Sequence, residues 1–422
     1  RLCVDVEVTI IKYLPDGSES WTASLYNAVI NTSIADGNGN LRVAGGTLDS
    51  VNGWTNRGLF DAFDVIYAPN GSMVAGRTWG SANYDAINDL SATTGVGGEV
   101  AFAYAVGYGV INNTPYVDHG YGVPSFVMSV ANSYYPNWVN YIGGGDGSVA
   151  YSVSTGLDGS VFAAGYTRLS VLDGQTSAGR DDAFVVKYSA GGVRQWTQLI
   201  GTSQDDVAYA LATGKDGSVY VGGTTAAPNE WGQSYGFQQQ GFLSKFSEDG
   251  VRQWTVTLGG YGADTVKSIA IGNDGAIYVA GVASSGFDGS SDTLVGSQDG
   301  FVARISTSGV REWTRFLNTD GGDAVEVTVG SDGAVYVAGT TAFGANIGGQ
   351  ASLGFNDAYI TRFAGAAQVT FAAGSATATV VVDPTQDSLA ENPESVVLSV
   401  MPGSGYTLGS NAVSTARITE PT

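Results

Sequence analysis

Short runs along this chain alternate hydrophobic with polar positions at a period of two, the pattern of half-buried strands. The clearest unit lies between residues 183 and 225. Residues 183–189 (AFVVKYS) alternate and are rich in β-branched and aromatic side chains. After the turn 190–192, residues 193–200 (VRQWTQLI) form a second run. Residues 207–213 (VAYALAT) are small and apolar, as a tightly packed inner strand requires. Asp216-Gly217 leads into a fourth run, 218–224 (SVYVGGT). Asp-Gly between two alternating runs predicts a hairpin with both turn positions at positive φ. The dipeptide recurs at Asp158-Gly159, Asp274-Gly275 and Asp332-Gly333. No long stretch has helical periodicity.

The whole unit repeats. Trp196, Trp254 and Trp313 lie 58 and 59 residues apart, and Trp138 precedes Trp196 by 58. Weaker copies occupy 61–107, with Met73 where Trp is expected, and 5–47. Four antiparallel strands repeated at such a period predict a propeller blade. The small-residue strand should line the central channel. The Trp strand should be outermost, its indole packed between blades. Inner strands near 27–35, 85–93, 148–155, 207–213, 265–271 and 324–329 predict six blades, with seven as the alternative. The third-strand type occurs seven times, the Trp-bearing fourth type six times. After 357–363 (DAYITRF) no partner follows, so residues 5–13 and 357–363 compete for one slot.

The pattern DAFVVKYS…G…W…D…A…DGSVYVGGTT at 182–225 and its copies resemble bacterial SBBP-type β-propeller repeats over residues 5–364. That resemblance implies an extracytoplasmic, often surface-exposed bacterial protein with no shared enzymatic activity. From Ala367 the composition changes. VTFAAGSATATVVV, the acidic turn Asp387-x-x-x-Glu391-x-x-Glu394 and the closing STARIT resemble the second half of a Calx-β domain, an immunoglobulin-like sandwich, over residues 367–420. The expected fold is all-β: a propeller at 1–364, then an incomplete sandwich at 365–422. Half a sandwich has open edges, which are templates for strand pairing. Tyr359, Ile360, Val369 and Phe371 are the candidates to pair with another subunit.

Composition agrees with turns and strands: 62 of 422 residues are glycine, and charged residues make up 14%. The net charge of −21 repels nucleic acid and anionic membrane surfaces and attracts cations. No apolar run approaches the ~18 residues of a membrane helix. Cys3 is the single cysteine, so an internal disulfide is excluded. The sequence starts at Arg1, as a processed precursor or a fragment would.

Candidate chemistry is sparse. His119 is the single histidine and lacks a partner for general-base work. Asp206, Asp264 and Asp323 each lie ten residues after a Trp at the entrance of an inner strand, and Asp85 is placed similarly. They would ring a channel mouth and hold a cation, or else anchor loops. One carboxylate per blade spreads the charge too widely for a compact Ca²⁺ site, which favours anchoring. Asp383, Asp387, Glu391 and Glu394 lie within twelve residues and are the better Ca²⁺ candidates. Trp54, Trp79, Trp231 and Tyr235 fall in long polar segments read as loops, where aromatic rings can stack on sugars or bury in protein contacts. The expectation is a non-enzymatic extracellular structural protein that self-associates into a filament, sheath or surface layer. The alternatives are a glycan- or protein-binding adhesion module and, last, a propeller lyase or hydrolase needing a clustered acid pair in the channel.

Overall fold

The computed structural model describes residues 7–363, apart from 15–17, 37, 58, 82–83, 95–99, 110–123, 131–135, 144–146, 227–238, 261, 285–297, 331, 343–344, 348–349 and 353–355, together with 394–399 and 413–418. The chain divides into two units, 1–366 and 367–422.

The first unit opens with a hairpin, β1 (Glu7–Tyr13) and β2 (Glu19–Tyr26), which forms its own two-stranded sheet. Six sheets follow, each a blade. Blade one is β3 (Ala28–Ala35), β4 (Leu41–Thr47), β5 (Asp61–Tyr67) and β6 (Met73–Trp79). Blade two is β7 (Ala86–Thr94), β8 (Val100–Tyr108), β9 (Ser125–Val130) and β10 (Val139–Ile142). Blade three is β11 (Ser148–Thr155), β12 (Val161–Thr167), β15 (Asp182–Tyr188) and β16 (Arg194–Ile200), with a small ribbon β13 (Val171–Leu172) and β14 (Gln175–Thr176) inserted. Blade four is β17 (Asp206–Thr213), β18 (Val219–Thr225), β19 (Gln240–Phe246) and β20 (Arg252–Leu258). Blade five is β21 (Thr265–Ile271), β22 (Ile277–Ala283), β23 (Asp299–Ile305) and β24 (Arg311–Phe316). Blade six has three strands, β25 (Asp323–Val329), β26 (Val335–Ala342) and β29 (Asn356–Phe363), with a ribbon β27 (Asn346–Ile347) and β28 (Gln350–Ala351) between the last two. In the second unit β30 (Glu394–Ser399) pairs antiparallel with β31 (Val413–Ile418). The chain is thus an all-β, six-bladed propeller of four-stranded blades, the sixth three-stranded among the described residues.

The core lies between blades. Apolar clusters join blades one and two, two and three, three and four, four and five, and five and six. A sixth cluster joins blade one to the N-terminal hairpin through Ile10, Trp21, Leu25, Val43 and Val65. A blade between two neighbours buries both faces of its middle strands. That is why β15 and β18 are buried at every residue.

The fourth-strand tryptophans lock successive blades. Trp138, Trp196 and Trp254 donate their indole N–H to Ala190, Glu248 and Thr307 carbonyls in the next blade's third-to-fourth-strand turn, at 3.0, 2.9 and 3.2 Å. The ring lies on a glycine of that turn: Gly192, Gly250 and Gly309 hold φ of 81°, 80° and 86°. A Cβ there would meet the indole at 2.6, 2.8 and 3.0 Å respectively. In blade one, register places Ala75, not Met73, at the tryptophan position: Ala75 faces Ile66 as Trp196 faces Lys187.

The Asp-Gly turns differ from the expected geometry. Gly159, Gly217, Gly275 and Gly333 have positive φ, but their aspartates do not. Each aspartate instead accepts the N–H two residues on, as Asp216 does from Ser218 at 3.1 Å. The turn is therefore closed by an aspartate side chain followed by one left-handed glycine, not by two left-handed residues.

Candidate functional site: the open sixth blade and the channel

Two places depart from simple repetition. The first is the boundary between the hairpin and blade six. In the hairpin, Lys12 faces Trp21 as Lys187 faces Trp196 in blade three. Trp21 donates to the Pro69 carbonyl of blade one at 3.0 Å and rests on Gly71, repeating the lock of the later blades. So β1 and β2 have the register of the third and fourth strands of a blade preceding blade one, and among the described residues no first or second strand joins them. Among the described residues blade six has the complementary deficit: β25, β26 and β29 are its first three strands, and β29 is the edge. The slot beside β26 belongs to β29, and among the described residues β1 pairs with β2 alone.

The cost of this arrangement is visible in burial. The third strands of blades two and three, β9 and β15, are buried at every residue. In β1, by contrast, exposed and half-buried residues alternate. Ile360, in the middle of β29, is 71% exposed. Tyr359 faces the other way: it packs against the cluster shared by blades five and six, and its hydroxyl donates to the Asp323 carbonyl at 2.9 Å. Of the four strand-pairing candidates, Ile360 presents an apolar side chain to solvent and Tyr359 belongs to the core. Val369 and Phe371 lie outside the described residues.

The second place is the channel. Every inner strand has one bulge, at Asn31, Asn88, Tyr151, Tyr209, Lys267 and Val325 in blades one to six. A bulge adds a residue without a partner opposite and re-aims its side chain. All six of these residues, with Thr265, line one cavity of about 500 Å³. Several reach to the next blade. Asn31 donates to the Ile87 carbonyl and Asn88 to the Ala150 carbonyl, both at 2.8 Å. The Tyr151 and Tyr209 rings are 5.3 Å apart. Lys267 binds Asp323 at 2.6 Å.

The next residue along two of these strands is an acid. Asp89 accepts from Thr32 at 3.2 Å, Ser152 at 2.9 Å and the Val153 N–H at 2.8 Å. Burial pushes its carboxyl up to about 6, against the pull of those hydrogen bonds. Glu326 accepts from Ser268 at 3.0 Å. It keeps accessible surface, yet protein atoms crowd it on most sides, and this desolvation pushes it up to about 7, with the Asp89 charge adding to the rise. The charge of Asp89 in blade two thus reaches the Glu326 carboxyl of blade six. The linear sequence hides this pair, because 237 positions separate its members and nothing in either strand alone marks it. The bulges leave a fainter trace, a break in alternation such as buried Ala208 and Ala210 flanking exposed Tyr209.

The four acids expected at a channel mouth fall into two groups. Asp85, Asp206 and Asp264 are buried and hold loops: they accept from the N–H of Ser81, Thr202 and Gly260 at 2.7, 2.7 and 3.1 Å. Asp323 is not their equivalent. Ala324 faces Gly339 as Ala208 faces Gly223, so Asp323 aligns with Val207 and sits one residue out of phase. A one-residue slip turns the side chain to the other face. That puts Asp323 against Lys267 and the Thr340 hydroxyl.

Among the aromatic candidates, Trp79 is not a loop residue. It ends β6, is 5% exposed, and packs in the core between blades one and two with the Arg77 guanidinium 5.0 Å from its ring. Trp54 is half-buried in a tight turn bridged to Val51. Trp231, Tyr235 and His119 lie outside the described residues, as do Asp383, Asp387 and Glu391. Glu394 begins β30, and its side chain is not described. No group of three or more metal-ligating side chains occurs among the described residues. No helix is long and apolar enough to cross a membrane among them.

No family model matches the chain. A curated relative, regulatory protein FlaEY of Caulobacter vibrioides, is 29% identical over 175 residues, which is 38% of this chain and 18% of FlaEY. The match therefore spans under a fifth of that relative's length. Among solved structures, the α-L-arabinofuranosidase Arb93A of Fusarium graminearum matches 85% of this chain and 97% of its own at 8% identity and a TM-score of 0.44. The Dos1 propeller matches 78% of each chain at 10% identity and a TM-score of 0.40. At such scores neither bears on activity. The chain is a six-bladed β-propeller protein with a distant, part-length likeness to FlaEY.

Proposed function

We propose that this chain is a structural subunit of a bacterial surface assembly, and that a strand from a second copy completes its sixth blade. One observation carries the reading. Third strands are in excess, β1 and β29, while the outer edge of β29 has no strand beside it among the described residues. An open edge with an exposed isoleucine is a template for strand addition. The hairpin, already shaped as the outer half of a blade, and the second unit, with its β30–β31 pair, are the segments available to supply it. The SBBP-like and Calx-β-like patterns, the extracellular setting and the absence of nucleic-acid or membrane partners belong to the same reading, as does a non-enzymatic role. Ca²⁺ bridging through Asp383, Asp387, Glu391 and Glu394 is a part of it that stands separately. Strand addition makes no use of the aromatic loops as a glycan surface. The role of FlaEY is not carried over.

Sedimentation velocity across a concentration series tests this. The expected result is oligomers that lengthen with concentration and shorten in Ile360→Lys, since an edge lysine blocks strand pairing and the position is too exposed for the fold to suffer. A single-chain particle at every concentration contradicts the proposal. Adding a chelator tests the calcium part alone: assemblies that survive it need no calcium.

A further inference from the structure

The six bulges convert a structural channel into a chamber with a defined chemical lining. Its volume, about 500 Å³, lies within the ~300–1,000 Å³ typical of small-molecule sites. The lining is uneven around the ring. Blades one and two contribute amides, blades three and four tyrosines, blade five an ammonium and blade six an apolar side chain.

Each group is fixed in what it offers. The amide N–H of Asn31 and that of Asn88 are committed to backbone carbonyls of the following blade. This leaves their carbonyl oxygens as oriented acceptors. Tyr151 sits between Tyr209, at 5.3 Å, and Tyr166, at 6.0 Å, forming a ladder of three rings. Among the described residues none of the three hydroxyls has a hydrogen-bond partner, and none is buried without one. They are free to donate and accept. The ammonium of Lys267 is neutralised by Asp323 at 2.6 Å.

We propose that this chamber binds a short neutral saccharide, one ring packed on Tyr209 and its hydroxyls held by Asn31, Asn88 and the tyrosine hydroxyls. Aromatic faces suit the C–H face of a pyranose, and oriented amides suit its hydroxyls. An anion is opposed by the chain's net charge of −21 and by the carboxyl groups of Asp89 and Glu326, with the one ammonium already paired. A cation finds no carboxylate among the side chains that line the cavity. This site is independent of strand addition at blade six.

The test is a calorimetric and NMR titration of the full chain with maltose, cellobiose and N,N′-diacetylchitobiose. Digalacturonate and choline serve as anionic and cationic comparisons. At least one neutral disaccharide should bind at up to about 10 mM and more tightly than either charged probe. Tyr209→Ala and Asn88→Ala should each weaken it by roughly tenfold or more, and Tyr209→Phe by less, because it keeps the ring. Ile360→Lys should leave binding unchanged. Should Tyr209→Ala fail to fold, Tyr209→Phe and Asn88→Ala carry the test. No neutral probe binding, tighter binding of digalacturonate or choline, or affinity untouched by these channel variants overturns the proposal.

Discussion

Gly250 and Trp196 meet across a blade boundary, and the pair shows what single residues do here. Trp196 was legible as a repeat mark because its spacing is regular. Its glycine partner was not, since contact between blades leaves no trace in local pattern. Gly250→Ala would place a Cβ 2.8 Å from the indole in a backbone held at φ +80°. Gly174 has φ +81° with nothing within 4 Å, so Gly174→Ala carries backbone strain alone. Gly250→Ala should therefore destabilise by about 1–3 kcal/mol more than Gly174→Ala, read as a shift in urea midpoint. Equal losses would mean that the indole yields at no cost.

Glu326 gives a second prediction at this scale. Its carboxyl is raised to about 7 in the fold, above its unfolded value. The fold then binds more protons than the unfolded chain between about pH 4.5 and 7, so stability falls as pH rises through that window. Glu326→Gln should raise the melting temperature at pH 8 and change it little at pH 5. Asp89, raised to about 6, acts in the same direction at slightly lower pH.

Among elements, the inner and third strands diverge in how far sequence predicts them. All six inner strands fall where small-residue runs stand. Their bulges do not follow from composition, because the extra residue is an amide, a tyrosine, a lysine or a valine in different blades. Blade one shows a further case. Arg42 clamps Asp64 through two hydrogen bonds of 2.7 Å, and Arg77 reaches the same carboxylate at 3.2 Å, all three nearly buried. Later blades place Lys187, Lys245 and Arg304 on the aromatic ring of the second strand instead. Removing the shared carboxylate would take from two buried cations the one anion they share. Asp64→Ala should cost about 3–5 kcal/mol in chemical denaturation, whereas Arg362→Ala, which removes an exposed pair with Asp332, should cost much less.

For the whole molecule, the repeat made the six blades readable, and the imbalance of strand types made the difficulty at the sixth blade readable. Which strand would hold the contested slot was not. β1 has the third-strand register with β2, and β29 has it with β26. Their local patterns are equivalent, and tertiary packing decides. The channel chemistry was also out of reach, since it is assembled from six strands spread over some 300 positions. The central claim, that blade six is finished by another copy, is tested most directly by hydrogen exchange at β29 as protein concentration is raised, with β24 of blade five as internal reference. The claim predicts that amides in Asn356–Phe363 slow with concentration while those in Arg311–Phe316 do not change. Exchange in β29 that is the same at every concentration would contradict it.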